Sequence, residues 1–177
     1  MLAMTLHAES PTFAEPICGV PVESGGSAAA TAMVLCCEAD RLGGVERQSV
    51  LMRGLKLAEE AAAADPSDAQ AHFAVFCNLG KQIQSRPLHP TDVAVIGRLQ
   101  REIDTVLALT PDDADALAAK GAMLLALPWF LGGNARQGEE LLRAALIKDP
   151  SNAAAVRYLA AAQKTRNPRS GRSEPRR

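Results

Sequence analysis

Asp65-Pro66-Ser67-Asp68, Thr110-Pro111-Asp112-Asp113 and Asp149-Pro150-Ser151-Asn152 give one instruction three times: each ends an apolar-periodic segment and precedes an alanine-rich one. A residue before proline is pushed out of the α conformation, so the upstream helix stops there. The Ser, Asp or Asn just after can accept hydrogen bonds from the exposed N–H groups of the next helix. Three such junctions signal a helical array. Composition points the same way. Hydrophobic residues make up 47 % of the chain, enough for a core, but aromatics only 3 %. An alanine-rich, aromatic-poor chain suits helices packed closely on helices and ill suits strands.

The junctions divide the chain. Residues 1–27 carry Pro11, Pro16, Pro21, Gly19, Gly25 and Gly26 without periodicity and read as an irregular extension. Residues 28–42 predict a helix stopped by Gly43-Gly44. Residues 46–64 predict a second, with Leu51, Leu55, Ala58 and Ala62 on one face. A last helix, 152–164, has no partner helix after it and reads as the cap that a repeat array needs. The expected repeat domain is therefore 28–164, followed by a polar, arginine-rich tail at 165–177.

Around this frame the residues resemble the tetratricopeptide repeat family. In residues 114–150, Gly121 stands at the small position of the first helix, and Leu142, Ala145 and Pro150 stand at the large, small and terminal proline positions of the second. Ala61 and Pro66 repeat that spacing, while valine fills the small position at Val106. DAQAHF at 68–73 and DADALA at 113–118 open successive units alike. The resemblance implies an all-α superhelix of about three helix pairs plus a C-terminal capping helix. It also carries departures. Both proline-to-proline intervals exceed the roughly 34 residues of the family repeat. The excess falls in Gln82–Thr91 and Pro128–Asn134, and Gly54 and Gly138 stand where alanine is usual. The LPWFLGGN stretch resembles the inter-helix loop of divergent bacterial repeat proteins, among them relatives of a periplasmic transporter-associated component and of regulator-of-microtubule-dynamics proteins.

The resemblance places Phe73, Cys77 and Lys81, with Asp115, Ala118 and Ala122, on the inner helices facing a concave groove. That lining implies another protein or peptide as partner. Phe73 is equally open to packing against a neighbouring helix or the N-terminal extension. The family's carboxylate clamp is not implied, because Phe73, Cys77, Ala118 and Ala122 occupy its positions in place of amide and basic side chains. Trp129 and Phe130 are read either as an exposed anchor, tryptophan being frequent at binding hot spots, or as a plug between helices around the lengthened turn. The plug is favoured, since an exposed Trp-Phe pair invites aggregation.

Catalytic and metal readings find little support. Ser85, His89 and Asp92 share a loop between Pro87 and Pro90, and Asp92 with Thr91 suits a helix N-cap better than a triad. His72 and Cys77 do not share a helical face well, so zinc would have to import Cys36 or Cys37. The four cysteines lack CxxC spacing and read as free thiols acting as small apolar residues, with a reducing compartment as the default. No glycine-rich phosphate loop is present. Net charge is −1, which draws the chain to neither nucleic acid nor an anionic membrane. No apolar run is long enough to span a bilayer, and the N-terminus lacks the pattern of a secretory signal. The expectation is a non-catalytic, cytoplasmic, cofactor-free adaptor that binds a partner segment. The alternative is a periplasmic small-molecule or transporter-associated binding subunit.

Overall fold

The computed structural model describes residues 26–84, 86 and 89–166. They form seven α-helices, and no strand occurs among the described residues. The helices are α1 (Ala28–Glu38), α2 (Gly44–Ala64), α3 (Ala69–Gln84), α4 (Val93–Leu109), α5 (Ala114–Ala126), α6 (Ala135–Lys148) and α7 (Ala153–Arg166). Single 3-10 turns at Ala39–Arg41, Pro90–Asp92 and Trp129–Leu131 interrupt three of the connections. The first predicted helix is therefore shorter than 28–42, its last residues having tightened into the 39–41 turn. The predicted irregular extension before residue 26, and the predicted tail beyond Arg166, lie outside the described residues.

The three proline junctions do the capping their sequence predicts. Asp68 Oδ1 accepts from the N–H groups of Gln70 and Ala71, at 2.9 and 3.1 Å. Asp113 Oδ1 accepts from Ala116 at 2.9 Å, and Asn152 Oδ1 from Ala155 at 2.9 Å. In two junctions the aspartate before proline also folds the turn itself. Asp65 Oδ1 takes the Ser67 N–H and hydroxyl, at 2.9 and 2.6 Å, and Asp149 Oδ1 takes those of Ser151, at 2.9 and 2.7 Å. Each cap is worth about 1 kcal/mol, so the junctions set helix boundaries more than they hold the fold together.

Each helix packs on the next, and in addition α1 packs on α3 and α5 on α7. The interior is built on α3 and α5, which are covered on several sides at once. Every residue from Phe73 to Lys81 is buried, as is each from Ala116 to Ala119 and from Gly121 to Leu124. One core joins Cys36 of α1, Phe73 and Phe76 of α3, Leu99 and Ile103 of α4 and Met123 of α5. A second joins Ala118 and Ala122 of α5, Leu142 and Ala145 of α6 and Tyr158 of α7. Phe76 stacks on Phe73, with ring centroids 6.3 Å apart.

The glycines at 54 and 138, where alanine was expected, are explained by close approach. A Cβ at Gly138 would lie 2.8 Å from the Gly121 carbonyl oxygen, and a Cβ at Gly121 the same distance from the Gly138 carbonyl. The backbones of α5 and α6 meet at these two residues. A Cβ at Gly54 would lie 2.8 Å from Asn78 Cγ. Asn78 is fully buried, and its Nδ2 donates to Ala32 O at 3.0 Å and to Ala74 O at 2.9 Å. Gly54 of α2 thus makes room for an amide that ties α3 to α1.

Candidate functional site

The connection from Leu127 to Asn134 holds its shape through backbone bonds. Pro128 O accepts from Leu131 N at 2.9 Å and from Gly133 N at 3.0 Å, and Leu124 O accepts from Asn134 N at 2.9 Å. Gly132 takes a φ of 88°, open to glycine without strain. A Cβ on Gly133 would lie 2.6 Å from the Leu127 carbonyl carbon, so that position must also be glycine. Gln100 of α4 donates from Nε2 to Leu131 O at 3.1 Å, fastening the turn to a neighbouring helix. Asn134 then caps α6 by accepting from Gln137 N at 3.1 Å.

This turn puts Trp129 and Phe130 outside. Leu127 is buried and Leu131 packs against the main core. With three residues per 3-10 turn, Pro128 and Leu131 share one side, and the two residues between them point elsewhere. Trp129 is 85 % exposed and Phe130 67 % exposed, with their rings edge to face at a centroid distance of 5.9 Å. The favoured plug reading is therefore corrected. Leu127 and Leu131 make the turn's apolar contact with the core, and the aromatic pair stands in solvent on a fixed turn.

The other predicted binding residues lie elsewhere. Phe73, Cys77 and Lys81 are buried, as are Ala118 and Ala122, so they do not line an open groove in this conformation. The reason is coverage by neighbouring helices. Lys81 Nζ reaches α1, donating to Cys36 O at 2.9 Å and to Asp40 Oδ2 at 2.6 Å. Ala118 and Ala122 belong to the core shared with α6 and α7. Asp115 remains half-buried and accepts from Asn152 Nδ2 at 2.7 Å, and burial raises its carboxyl above the usual range. The eight residues thus fall into separate places: Phe73 and Cys77 in one core, Ala118 and Ala122 in another, and Trp129 with Phe130 on the surface.

A cavity of about 280 Å3 opens between α5, α6 and α7. Ala122, Leu125, Ala161 and Ala162 give it an apolar wall, with Tyr158, Glu139 and Thr165 as its polar-bearing members. Glu139 pairs with Arg143 at 2.6 Å, the i,i+4 contact their spacing predicts.

The lengthened α3–α4 connection is shorter than Gln82–Thr91, because α3 runs on to Gln84. Ser85 lies outside the described residues. Asp92 is not the side-chain cap of α4. Its carboxylate instead accepts from His89 N at 2.7 Å and from both Arg86 terminal nitrogens, at 2.8 and 2.6 Å. The Arg86 guanidinium and the His89 N–H hold its carboxyl down at about 2. A carboxyl depressed on folding stabilises the fold above its unfolded value, near 4, and that contribution is lost as pH falls towards 2. Asp92→Asn should therefore lower the melting temperature at pH 6, and the gap to the parent should close between about pH 4 and 2. A pH-independent gap in thermal melts would overturn the assignment.

His72 is also committed, with Nδ1 2.7 Å from Glu102 Oε2 and Nε2 3.1 Å from Pro66 O. Among the described residues no group of three His, Cys, Asp or Glu side chains is arranged to hold a metal ion. No described helix is long and apolar enough to cross a membrane. The uniform reading of the cysteines as thiols needs correction: Cys37 is disulfide-bonded, while Cys36 and Cys77 are free.

Compared with known proteins, the chain matches no family model, and no curated sequence is similar to it. The site is thus described by its own geometry. The exposed aromatic turn was legible in sequence as a Trp-Phe pair between Leu127 and Leu131, followed by Gly132-Gly133. Its outward direction was not, because direction depends on what else fills the inter-helix space.

Proposed function

We propose that the chain is a non-catalytic protein-interaction scaffold built on a tetratricopeptide-like array, and that Trp129 and Phe130 anchor its partner. The observation carrying this reading is the exposure of two large aromatics on a turn fixed at both ends. Aromatics held rigidly lose little conformational entropy on binding, and tryptophan is frequent among residues that dominate binding energy. The order of packing supports the repeat reading, since first helices meet across units in α1 on α3 and in α5 on α7. The concave-face residues serve here as framework. Phe73→Glu would place a charge in a core and report on folding rather than on a surface.

The test is affinity capture from the native host, with quantitative mass spectrometry, comparing the parent with Trp129→Ser/Phe130→Ser. Truncating hot-spot residues costs at least about 2 kcal/mol, or roughly 30-fold in affinity. Recovery of a specific partner should fall by that order, while circular dichroism and melting temperature stay near the parent, because both rings are solvent-exposed. Equal recovery by a folded double variant would refute the anchor.

A second reading, a small-molecule or transporter-associated subunit of an oxidising compartment, draws on two observations. The α5–α6–α7 cavity is largely apolar and sits near the small end of ligand sites. The disulfide at Cys37 is of a kind that persists outside reducing compartments. Ala161→Phe, at a half-buried position of the cavity wall, would fill the cavity without touching Trp129. Partner capture unchanged by Ala161→Phe, yet lost in the aromatic double variant, separates the first reading from this one.

A further inference from the structure

The contact between α1 and α3 holds a pair of thiols that the proposed binding role does not use. Two buried bonds fix the register of these helices. Asn78 Nδ2 reaches Ala32 O at 3.0 Å, and one helical turn further along both helices Lys81 Nζ reaches Cys36 O at 2.9 Å. Cα atoms of α1 and α3 approach within 8 Å, which the small residues Ala32 and Ala74 permit. Cys36 therefore faces Cys77. The two side chains interact directly and share one core cluster, with 2 % and 5 % of their surfaces exposed.

The third member is Lys81, one turn beyond Cys77 and only 3 % exposed. A buried ammonium is costly unless it is paired. Asp40 Oδ2, at 2.6 Å, supplies part of the pairing. The Lys81 charge also favours a thiolate nearby. The Cys36 thiol is held below its ordinary value by the Cys77 side chain and further by Lys81, against burial and the Asp40 carboxylate. Cys77 is pushed well above its ordinary value by Cys36 and by burial. The pair is thus asymmetric: Lys81 favours a thiolate at Cys36, while burial disfavours one at Cys77.

We propose that Cys36 and Cys77 are a peroxide-oxidisable dithiol that closes into a disulfide between α1 and α3. The Cys36 thiolate attacks one oxygen of hydrogen peroxide. The S–O bond forms, the O–O bond breaks, and the departing hydroxide takes up a proton to become water. Cys77 sulfur then attacks the Cys36 sulfenic sulfur. The S–S bond forms, the S–O bond breaks, and hydroxide leaves with the Cys77 proton as a second water. Two thiols lose two electrons, and one peroxide is reduced to two waters. The product locks the first helix pair onto the second.

The test treats the full chain with hydrogen peroxide, then denatures it, blocks remaining thiols with iodoacetamide and maps tryptic peptides by mass spectrometry. A cross-link to the Cys77 peptide is expected in the parent and should be absent from Cys36→Ser. In Cys77→Ser the reaction should stop at a Cys36 sulfenic acid, which dimedone present during denaturation traps. Lys81→Met should slow cross-linking about tenfold, which a merely space-filling role for Lys81 would not do. Free, alkylatable Cys36 and Cys77 in peroxide-treated parent protein would overturn the proposal whatever the variants do. So would a Cys77 cross-link that persists in Cys36→Ser.

Discussion

Gly138→Val is expected to destabilise the fold by about 4 kcal/mol or more, and Gly121→Val by a similar amount. The two residues face each other where α5 crosses α6. The first atom a new side chain meets is a backbone carbonyl oxygen, 2.8 Å from the Cβ in either direction. A flexible side chain can turn away, whereas a carbonyl inside a helix moves only with its helix. Leu142 Cγ stands 2.8 Å from a Cβ at Gly121, and Leu125 Cγ stands 3.0 Å from one at Gly138. Relief therefore means separating α5 from α6, which opens the core containing Ala118, Ala122, Leu142 and Ala145. For a chain of this size the loss corresponds to a drop in melting temperature on the order of 10 °C. Gly97→Ala supplies the contrast. Its Cβ would meet only Arg101 Nη1, at an ordinary 3.6 Å, so the gain in helix propensity should raise stability by about 0.5–1 kcal/mol. Calorimetry on the three variants checks the argument, and a Gly138→Val chain melting with the parent would defeat it.

Gly54→Ala should cost about 2–4 kcal/mol for a different reason. The obstacle is the Asn78 amide, itself fully buried and held by carbonyls of Ala32 and Ala74. Its Oδ1 rests against Gly54 without a hydrogen-bond donor among the described residues. A methyl group there must displace the amide. That breaks the bond to α1 and leaves buried polar atoms unmatched, at about 1–3 kcal/mol on top of the steric cost. Alanine's better helix propensity returns only about 1 kcal/mol. The two sites are therefore coupled. In a double-mutant cycle by chemical denaturation, Gly54→Ala/Asn78→Ala should be destabilised by at least about 1 kcal/mol less than the sum of the singles. Strict additivity would show that the amide is not what Gly54 accommodates.

These glycines show where sequence reading reached its limit. Gly54 and Gly138 stood out as departures from a repeat pattern, but a glycine in a helix announces only that something comes close. What comes close was different in each case: a buried amide at Gly54, a backbone carbonyl at Gly138. Lys81 behaves similarly. Its helical register placed it with Phe73 and Cys77, and that grouping on α3 survives, yet its charge points into the α1 contact rather than towards a groove. Register assigns a face to a side chain. It does not say which helix covers that face.

Helix boundaries at the three proline junctions belonged to the sequence alone. Asp68, Asp113 and Asn152 cap α3, α5 and α7, and the prolines just before them stop α2, α4 and α6, because capping and proline exclusion act within a few residues. Exposure belonged to the tertiary structure. Trp129 and Phe130 face solvent because the turn directs Leu127 and Leu131 into the core. Phe73 and Lys81 are buried because α3 is enclosed by its neighbours. Burial depends on which segments, distant in sequence, compete for the same space, and no local pattern records the outcome of that competition.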